Sequence, residues 1–502
     1  MKVLLNCRAY DFDPARRAYA VRDALLVEGA RVAGFDAALA GAGVERVDLE
    51  GATVVPAFAD CHVHLTDTGY TLGERDFSDV RGADAFAAKV AALPRGEEFL
   101  LAGKYDESAW HDGAEASAAP LERFLAERYA MLVRVDCHSC LVNRKTLAWL
   151  ELDPALEGFE RDASGEPTGR LFLAANWAAQ TRFLERIPPA ARRAAEARAT
   201  ALALSEGALH LHVQLIGLGS REAYAAEIEA LPALGPARWH PKICEREPEL
   251  AASLGLPYVG GDVFLDGSLG SGTAALGAPY RDRPGSGVLA LDDATVFDYF
   301  SRAEAAGVSA GVHAIGDRAI EQCLATWERV LGGRPSPRNR HFIEHFELAT
   351  PAQIERAARL GLFLSMQPQF DADWGGEGGM YAKRLGSQRA LGMNALGSAL
   401  RAGAVLCGGD DSPVCRLSPL AGMAAACAHH NPAERLTPLQ ALTMYTCDAA
   451  RFGHAEGHTG RLAPGYDADL AVLDRDPFAG APFAATHVLE TWRAGEPVYR
   501  RH

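Results

Sequence analysis

Short apolar runs alternate with amphipathic stretches through most of the chain, and this alternation constrains the fold more than any other feature. The segments 294–306, 319–331 and 351–360, which separate some of these runs, have the apolar spacing of helices. Strands that alternate with helices predict a parallel sheet. We therefore predict an α/β fold built on a (β/α)8 TIM barrel, whose core takes about 250 residues, with a doubly wound sheet as the competing architecture. The predicted strands are 53–58, 207–213, 237–243, 261–266, 309–315, 340–346, 362–368 and 404–410.

The chain has 502 residues, too many for one ordinary domain. Both of its ends are rich in short β-like runs, at 24–34, 469–474 and 487–499. Because chain termini often lie close together, we predict that 1–52 and 456–502 form one small β-sandwich domain and that 53–455 form the barrel. The interval from about 70 to 200 interrupts the rhythm after the first barrel strand. It predicts an insertion over one end of the barrel, where substrate pockets tend to be built.

The composition excludes several classes of protein. The formal net charge is −15, with acidic residues spread along the chain, which argues against nucleic acid or an anionic membrane as a partner. The start of the chain lacks the apolar region of a signal peptide, and no apolar segment is long enough to cross a membrane. Ten cysteines are mostly single, and Cys137 and Cys140 lack a second nearby pair, so a structural zinc site is not expected. We expect a cytoplasmic protein with reduced thiols and a small-molecule substrate; the sequence leaves a homo-oligomer open.

Two histidines separated by one residue follow the first apolar run. Side chains alternate along a strand, so His62 and His64 point to the same side and could hold one divalent metal ion. An isolated pair of this kind is more often a pair of packed histidines. The interpretation changes because further ligand-type residues stand at the ends of later β-like runs: Asp262, His313, His345 and Asp411.

The carboxyl ends of the strands of a TIM barrel meet at one face, which is where its active sites lie. Imidazoles and carboxylates gathered there suit zinc, or another first-row divalent ion. Such an ion lowers the pKa of a bound water towards about 7, so that hydroxide forms at neutral pH. Asp411 could accept the proton of the water and pass it to a leaving nitrogen, while a nearby histidine stabilises the oxyanion. This chemistry hydrolyses amide-like carbon–nitrogen bonds and also fits the removal of an amine from a heterocycle.

These residues stand in segments that resemble the amidohydrolase superfamily, specifically its YtcJ-like branch (amidohydrolase family 3). The resemblance covers nearly the whole chain, and the C-terminal 465–470 is similar to the closing β segment of the superfamily. A lone pair of spaced histidines is common, whereas this ordered series is specific. The matching stretches are 56–64, 136–143, 266–271, 312–319, 343–345, 365–368 and 409–414.

The resemblance implies a metal-dependent hydrolase that acts on carbon–nitrogen bonds other than peptide bonds. In the superfamily the ligands are the histidine pair, a strand-four residue, one histidine each on strands five and six, and a strand-eight aspartate. Asp411 fits that aspartate better than Asp410 because it precedes Ser-Pro-Val, and it is the implied general base; His345 is the second implied catalytic residue. The implied metal ligands are His62, His64, Asp262, His313, His345 and Asp411.

The sequence departs from the family at strand four. Relatives with two metals usually carry a carboxylated lysine there, and this chain has Asp262. Aspartate could bridge two ions, bind one, or cap the strand. A one-ion site on His62, His64, His313 and Asp411, with His345 polarising the substrate, is therefore equally consistent. A deaminase, a metal-assisted isomerase and a non-catalytic relative are the alternative functions.

The pocket-lining residues are predicted with less specificity. In segments similar to the family's pocket loops, Trp110 and His138 of the insertion and Trp374 after strand seven are candidates for substrate binding, although aromatic residues in such a barrel are more often packing. His210 and His212 share one face of the second strand, but no carboxylate series accompanies them. We interpret these two histidines as interior residues.

Overall fold

The computed structural model describes residues 1–36, 44–94, 96 and 98–501. Within them the strands are, in chain order, β1 (Lys2–Asp13), β2 (Ala18–Glu28), β3 (Arg31–Gly34), β4 (Glu45–Asp48), β5 (Thr53–Pro56), β6 (Phe58–Val63), β7 (Phe99–Tyr105), β8 (Tyr129–Arg134), β9 (Ser139–Val142), β10 (Phe159–Arg161), β11 (Pro167–Phe172), β12 (Ala208–Leu215), β13 (Arg238–Trp239), β14 (Lys242–Ile243), β15 (Tyr258–Val259), β16 (Ser309–Ala314), β17 (Phe342–His345), β18 (Phe363–Met366), β19 (Val405–Gly408), β20 (Leu470–Leu473), β21 (Val488–Arg493) and β22 (Glu496–Arg500).

Several helices begin at side chains that satisfy their free backbone N–H groups. At the start of one, the Thr350 hydroxyl and the Gln353 side chain bond each other's backbone N–H, and Pro351 takes the first helical position. The helices are α1 (Leu65–Tyr70), α2 (Ala83–Ala92), α3 (Ala119–Phe124), α4 (Arg144–Leu150), α5 (Leu173–Arg186), α6 (Pro189–Ser205), α7 (Arg221–Ala230), α8 (Pro248–Ser253), α9 (Asp293–Ala306), α10 (Asp317–Leu331), α11 (Pro351–Arg359), α12 (Pro368–Trp374), α13 (Met380–Leu385), α14 (Ser387–Ala390), α15 (Leu396–Arg401), α16 (Pro419–Ala428), α17 (Pro438–Tyr445) and α18 (Cys447–Phe452).

Strands from both ends of the chain share one sheet. Its order is β22-β21-β20-β5-β1-β2-β3, with β4 paired to β1. The prediction that 53–58 form the first parallel strand is wrong, because Thr53–Pro56 pairs antiparallel with β20 in this terminal sheet. The chain changes partners within one apolar run: Ala57 N–H donates to Asp469, and Phe58 N–H donates to Gly207 at the start of β12. The run therefore serves two sheets, and the parallel strand is β6.

The parallel strands form two ladders. In one, β12 pairs with β6 on one side and with β13 and β14 on the other; the second has the order β15-β16-β17-β18-β19. Helices alternate with these strands and cover them with apolar side chains. Phe300 of α9 stacks on Trp327 of α10, with ring centroids 3.9 Å apart, and both are fully buried. The structure is thus an α/β fold with parallel strands, as the alternation predicted.

The fourth strand differs from the prediction of 261–266. β15 ends at Val259, and the next two residues, Gly260 and Gly261, have φ angles of +82° and +109°. Glycine adopts this left-handed backbone at low cost, and it breaks the extended chain. Within 261–266, Phe264 alone forms a bridge, to His313. Asp262 therefore lies on an irregular segment between β15 and this bridge.

The interval between β6 and β12 contains its own sheet, in the order β10-β11-β9-β8-β7, together with helices α1 to α6. In this sheet β7 pairs parallel with β8, and the long helix α6 leads from the insertion to β12. Separate apolar clusters fill this part of the chain, one around Phe77 and Phe86 and one around Phe183. Across the described residues, each helix is too short or too polar to cross a lipid bilayer.

Candidate metal centre and adjoining cavity

Three ligand-type side chains meet at the end of β6. The alternation of the strand brings His62 and His64 to one side, where their Nε2 atoms are 3.4 Å apart. The Asp411 Oδ1 atom, which follows β19, lies 3.2 Å from His62 Nε2 and 3.0 Å from His64 Nε2. Asp411 reaches this position because its backbone N–H donates to the His62 carbonyl, 2.9 Å away. Asp410 instead accepts from the Ser418 N–H and the Gln369 amide, so it is Asp411 that faces the histidines.

The Asp262 carboxylate lies between two pairs of imidazoles. Its Oδ2 atom is 3.3 Å from His62 Nε2 and 3.2 Å from His64 Nε2. Its Oδ1 atom is 3.9 Å from His313 Nδ1 and 3.9 Å from His345 Nε2. One carboxylate oxygen thus faces each pair. All six residues predicted from the sequence as ligands come together, although they lie as far apart in the chain as His62 and Asp411.

Unusual backbone conformations direct two of these side chains. His345 has a φ of +71° and Asp411 a φ of +52°. A side chain with a Cβ pays about 1–3 kcal/mol to adopt this left-handed region, and such residues cluster at functional sites. The positive φ of His345 breaks the alternation of side chains along β17. As a result, Glu344 and His345 both approach the ligand cluster. The regular alternation of β17 would have placed them on opposite faces.

The electrostatics of the cluster are those of cations and anions buried together. Burial by itself would lower the pKa of His64, but the Asp262 and Asp411 carboxylates raise it to about 10. Burial would raise the pKa of Asp411, and the histidines beside it overcome this and lower it. Burial, and His345 next to it, lower the pKa of His313. The carboxylates are therefore held ionised beside imidazoles.

Several buried atoms of the cluster make no hydrogen bond within the described part of the chain. They are Asp262 Oδ2, Asp411 Oδ1 and His313 Nδ1, and each of them points to the other ligand-type atoms. A buried polar atom without a partner is costly, so native structures rarely leave one unsatisfied. Imidazole nitrogens and carboxylate oxygens are the donors that zinc and related first-row divalent ions take. The residues present therefore fit such an ion.

Partners behind the ligands fix their orientation, and the sequence-based reasoning assigned them no role. His345 Nδ1 lies 2.9 Å from Oε1 of Gln367, the residue after β18. His62 Nδ1 lies 2.8 Å from Glu344 Oε2, and the other Glu344 oxygen binds Lys242 Nζ at 2.6 Å. The sequence did contain a sign of this pair. Lys242 and Glu344 each stand within an apolar β-like run, and a lysine or glutamate is rarely fully buried unless it is paired.

A cavity of about 140 Å³ opens from the ligand cluster towards the insertion. Two of the residues nominated for substrate binding, His138 and Trp374, line it, and their contact with substrate stays a prediction. Trp110 does not belong to the described lining. Its indole packs against Phe86 in the apolar core of the insertion, with ring centroids 5.6 Å apart, and the residue is buried. The sequence-based expectation for Trp110 is corrected accordingly: its place is structural.

The wall of the cavity is aromatic near the histidines. Trp177 of α5 stacks on Phe264, with centroids 4.5 Å apart, and His138 stands edge-on to both rings. Neither Trp177 nor Phe264 was singled out from the sequence, since nothing in the local pattern of α5 distinguishes a cavity wall from packing. Glu347, which also lines the cavity, accepts a hydrogen bond from Tyr381 at 2.7 Å.

The Arg134 guanidinium lies in the cavity wall, where it forms ion pairs with three carboxylates. Arg134 contacts Asp106 at 2.7 Å, Glu107 at 3.0 Å and Asp136 at 2.9 Å. Asp136 in turn accepts from the hydroxyls of Ser268 and Ser271, at 2.7 and 2.8 Å. This network joins β8 to the segment after Phe264, and it holds the insertion against the cavity.

His210 and His212 lie elsewhere, as interior residues of β12. His212 stacks on His240, with centroids 4.4 Å apart, and His210 Nδ1 is 3.3 Å from His240 Nε2. His210 also contacts Thr459, just before the terminal strands. This group belongs to the packing between the parallel strands and the C-terminal segment, and it is separate from the candidate metal centre.

Comparison with known proteins agrees with this geometry. Residues 45–499 match the family described as "Amidohydrolase family". The chain is 31% identical over 497 residues to the Bacillus subtilis (strain 168) protein YtcJ, which is named an amidohydrolase, covering 91% of each chain. It is 26% identical over 539 residues to N-substituted formamide deformylase from Arthrobacter pascens, covering 95% of each. A solved structure of a metal-dependent hydrolase from Pyrococcus furiosus superposes with a TM-score of 0.74 at 26% identity, over 95% of this chain and 99% of that one.

The family match spans nine-tenths of the chain, and the structural relative covers both the parallel strands and the insertion. The resemblance stated from the motifs is therefore confirmed. With the cluster of histidines and aspartates, it indicates a hydrolase of carbon–nitrogen bonds that depends on a divalent metal. The chain belongs to the amidohydrolase family.

Proposed function

We propose that this protein hydrolyses a small N-acyl or N-formyl amide, or a cyclic amide, with two divalent ions, most consistently zinc, held by the six-residue cluster. The observation that carries the proposal is the position of Asp262, whose two oxygens face different pairs of histidines. A carboxylate so placed suits a bridge between two ions. His62, His64 and Asp411 would hold one ion, and His313 and His345 the other. The one-ion arrangement would leave His345 free to donate to the substrate.

When bound, the ions would activate a water and polarise the scissile carbonyl. The chain's own residues supply the proton transfer and the positioning. The Asp411 carboxylate lies beside both histidines of the pair, so it would accept a proton as general base and return it to the leaving nitrogen. The aromatic wall of Trp177 and Phe264 excludes water from one side and orients an apolar substituent.

The charge of the cavity favours substrates that carry no negative charge. Besides the carboxylates of the metal cluster, its lining contains those of Asp67, Asp106, Asp136, Glu185, Glu227 and Glu347, and two guanidinium groups, Arg134 and Arg192, which both contact carboxylates. Away from the cluster, where bound ions would supply positive charge, an anionic group of a substrate would therefore meet like charges that cost it affinity. The relative from Arthrobacter pascens is named for N-substituted formamides, in which the formamide group itself is uncharged. This supports neutral amides as the substrate class.

We also propose that the two parallel ladders are parts of one (β/α)8 barrel. Hydrogen bonds connect the ladders at both of their edges: Asp411 N–H, after β19, donates to His62 of β6, and Gly260 N–H, after β15, donates to Ile243 of β14. We propose that 1–52 with 456–502 form a small β-sandwich domain and 53–455 the barrel domain, with about 70–200 as its insertion; the first residues of the barrel domain, Thr53–Pro56, contribute a strand to the terminal sheet. The ten cysteines are free thiols in the described chain, which supports the cytoplasm as the location.

A panel of amides tests the function. Purified protein supplied with zinc or cobalt would be offered N-formyl amines, neutral N-acyl amines, N-acyl amino acids, cyclic amides and amino-heterocycles, with formate, carboxylate, amine and ammonia measured separately. We expect release of formate or carboxylate with equimolar amine from the neutral amides, and none from the Asp411→Asn variant. Ammonia from a heterocycle would instead identify a deaminase, and conversion without hydrolysis an isomerase.

A further inference from the structure

A buried ion pair lies directly behind the metal cluster, and the hydrolytic scheme does not use it. Lys242 of β14 and Glu344 of β17 have fully buried side chains, and Lys242 Nζ is 2.6 Å from Glu344 Oε1. The ammonium also lies over the rings of Phe342 and Phe452, 5.0 and 4.6 Å from their centroids. Burying two charges costs several kcal/mol per ion before their attraction offsets it. An isolated buried ion pair contributes little to stability, so stability alone does not explain why this pair lies behind the metal cluster.

Both charged groups contact the same ligand strand. Glu344 Oε2 is 2.8 Å from His62 Nδ1, the ring nitrogen on the side away from the cluster. Lys242 Nζ donates to the carbonyl oxygen of Cys61, the residue before His62, at 2.8 Å. The pair therefore holds His62 at its ring and at its backbone. Lys242 and Glu344 are absent from the described lining of the cavity, so substrate does not reach them.

Glu344 has one oxygen on each of its partners. Its Oε1 accepts a hydrogen bond from the Lys242 ammonium, and its Oε2 faces His62 Nδ1. His62 Nδ1 and Glu344 Oε2 lie 2.8 Å apart, and neither atom forms a hydrogen bond with another group among the described residues. A proton on His62 Nδ1 would therefore face the Glu344 carboxylate.

We infer that Glu344 is a positioning residue, which keeps the proton of His62 on Nδ1 and so presents the Nε2 lone pair to the metal, and that Lys242 acts through Glu344 by fixing its carboxylate. This inference rests on the proposed metal centre and assigns a role to two residues outside it. A carboxylate or carbonyl behind a metal-binding histidine sets its tautomer and raises its basicity, and removal of that partner typically costs 10–100-fold in metal affinity.

The test measures binding of Co²⁺ alone, by its visible absorption and by competition with a chelating dye, in protein first stripped of metal. The variants are Glu344→Gln, Lys242→Met and the double variant Lys242→Met/Glu344→Gln. The matched control is Glu304→Gln, because Glu304 also contacts an imidazole, His341 Nε2 at 2.9 Å, at the residue just before β17 and remote from the cluster. Circular dichroism and thermal unfolding of the stripped proteins report any loss of structure.

We expect Glu344→Gln to bind Co²⁺ about 10–100-fold more weakly, with an altered visible spectrum, while Glu304→Gln binds it as the wild type does. Lys242→Met should weaken binding as well, because it leaves the Glu344 carboxylate unfixed and removes the contact to the Cys61 carbonyl. The double variant should bind Co²⁺ at least as weakly as Glu344→Gln, but by less than the product of the two single effects, because the two side chains share one contact. If the Glu344→Gln chain fails to fold, the double variant, which leaves no unpaired ammonium, carries the same prediction.

The outcomes separate this inference from the proposed function. Wild-type Co²⁺ affinity and spectrum in a folded Glu344→Gln or double variant would overturn the inference and leave the proposed hydrolase intact. Weakened binding in these variants, with no amide of the panel hydrolysed by the wild type, would support the inference and reject the substrate proposal. A wild-type protein that binds no Co²⁺ would overturn both.

Discussion

Asp262 illustrates how one short side chain can set the geometry of a whole centre. The sequence showed that it replaces the lysine expected from the resemblance, but the residue alone did not say whether it bridges, binds or caps. In the structure its backbone lies on an irregular segment after Gly260 and Gly261, which brings the short carboxylate into contact distance of two imidazole pairs. Only the fold supplies this placement, because the glycine turn that produces it leaves no periodic signal in the sequence.

The Asp262→Asn substitution tests the bridging role. Asparagine keeps the shape of the side chain but replaces one carboxylate oxygen with an NH2 group, which cannot bind a cation. One ion should therefore be lost. We expect the metal content to fall from two ions per chain to one or fewer, and turnover to fall by at least about 100-fold, an effect of about 2.7 kcal/mol on the barrier. Elemental analysis and kinetics measure the two quantities. The exposed Asp298→Asn should change neither; two ions retained in Asp262→Asn would exclude the bridge.

Two tryptophans provide a second residue-scale prediction, because both were assigned to substrate from the sequence and the structure separates them. Trp374→Ala should raise KM for amides with an apolar substituent and leave the thermal midpoint nearly unchanged, since its ring lines the cavity. Trp110→Ala should instead destabilise the protein by about 3–5 kcal/mol, the usual cost of a deleted core tryptophan. Thermal unfolding and steady-state kinetics of both variants decide this, and a KM effect confined to Trp110→Ala would reverse the assignment.

At the scale of elements, the features that follow from the regular alternation of side chains in strands could be predicted from the sequence. Features that depend on an irregular backbone conformation could not. The alternation of His62 and His64 follows from the strand period alone, and so does the parallel α/β arrangement. Glu344 and His345 could not be assigned to one site by that rule, since the positive φ of His345 brings both to it. The boundary between β5 and β6 was missed for a similar reason: the apolar run is continuous, and a change of hydrogen-bond partners divides it.

The contact between α1 and α6 yields a prediction at this scale. A Cβ added at Gly69 would lie 1.9 Å from the Ala195 carbonyl oxygen, so the two helices can pack only with glycine there. Because α1 begins directly after His64, Gly69→Ala should displace that helix, destabilise the protein by at least about 1–3 kcal/mol and reduce turnover. Gly378→Ala, where the added carbon meets nothing within 4 Å, is the control. Equal thermal midpoints for the two variants would contradict the account of this packing.

For the whole molecule, the histidine group around His240 links the parallel strands to the C-terminal segment and makes stability depend on pH. Burial lowers the pKa of His210 and of His240 to about 3, so both stay neutral in the fold, whereas an unfolded histidine titrates near 6.5. Between these values the unfolded chain binds more protons, so stability falls as the pH drops below about 6.5. The loss is about 1.4 kcal/mol per pH unit for each proton taken up on unfolding.

Thermal unfolding at pH about 7 and about 5 measures this dependence. His240→Gln removes one such group, so its midpoint should fall less between the two pH values than that of the wild type. The exposed His487→Gln should behave as the wild type. The same pH dependence in His240→Gln as in the wild type would assign the acid sensitivity to other groups.

The metal content of the purified chain, measured together with amide hydrolysis before and after removal of metal, decides whether the six-residue cluster is a hydrolytic metal centre. We expect two divalent ions per chain, loss of hydrolysis when a chelator removes them, and recovery on addition of zinc or cobalt. His64→Asn, which removes a ligand of the first ion, should lower both the metal content and the turnover. Full turnover by a chain free of divalent metal would show that the cluster does not act through a metal ion.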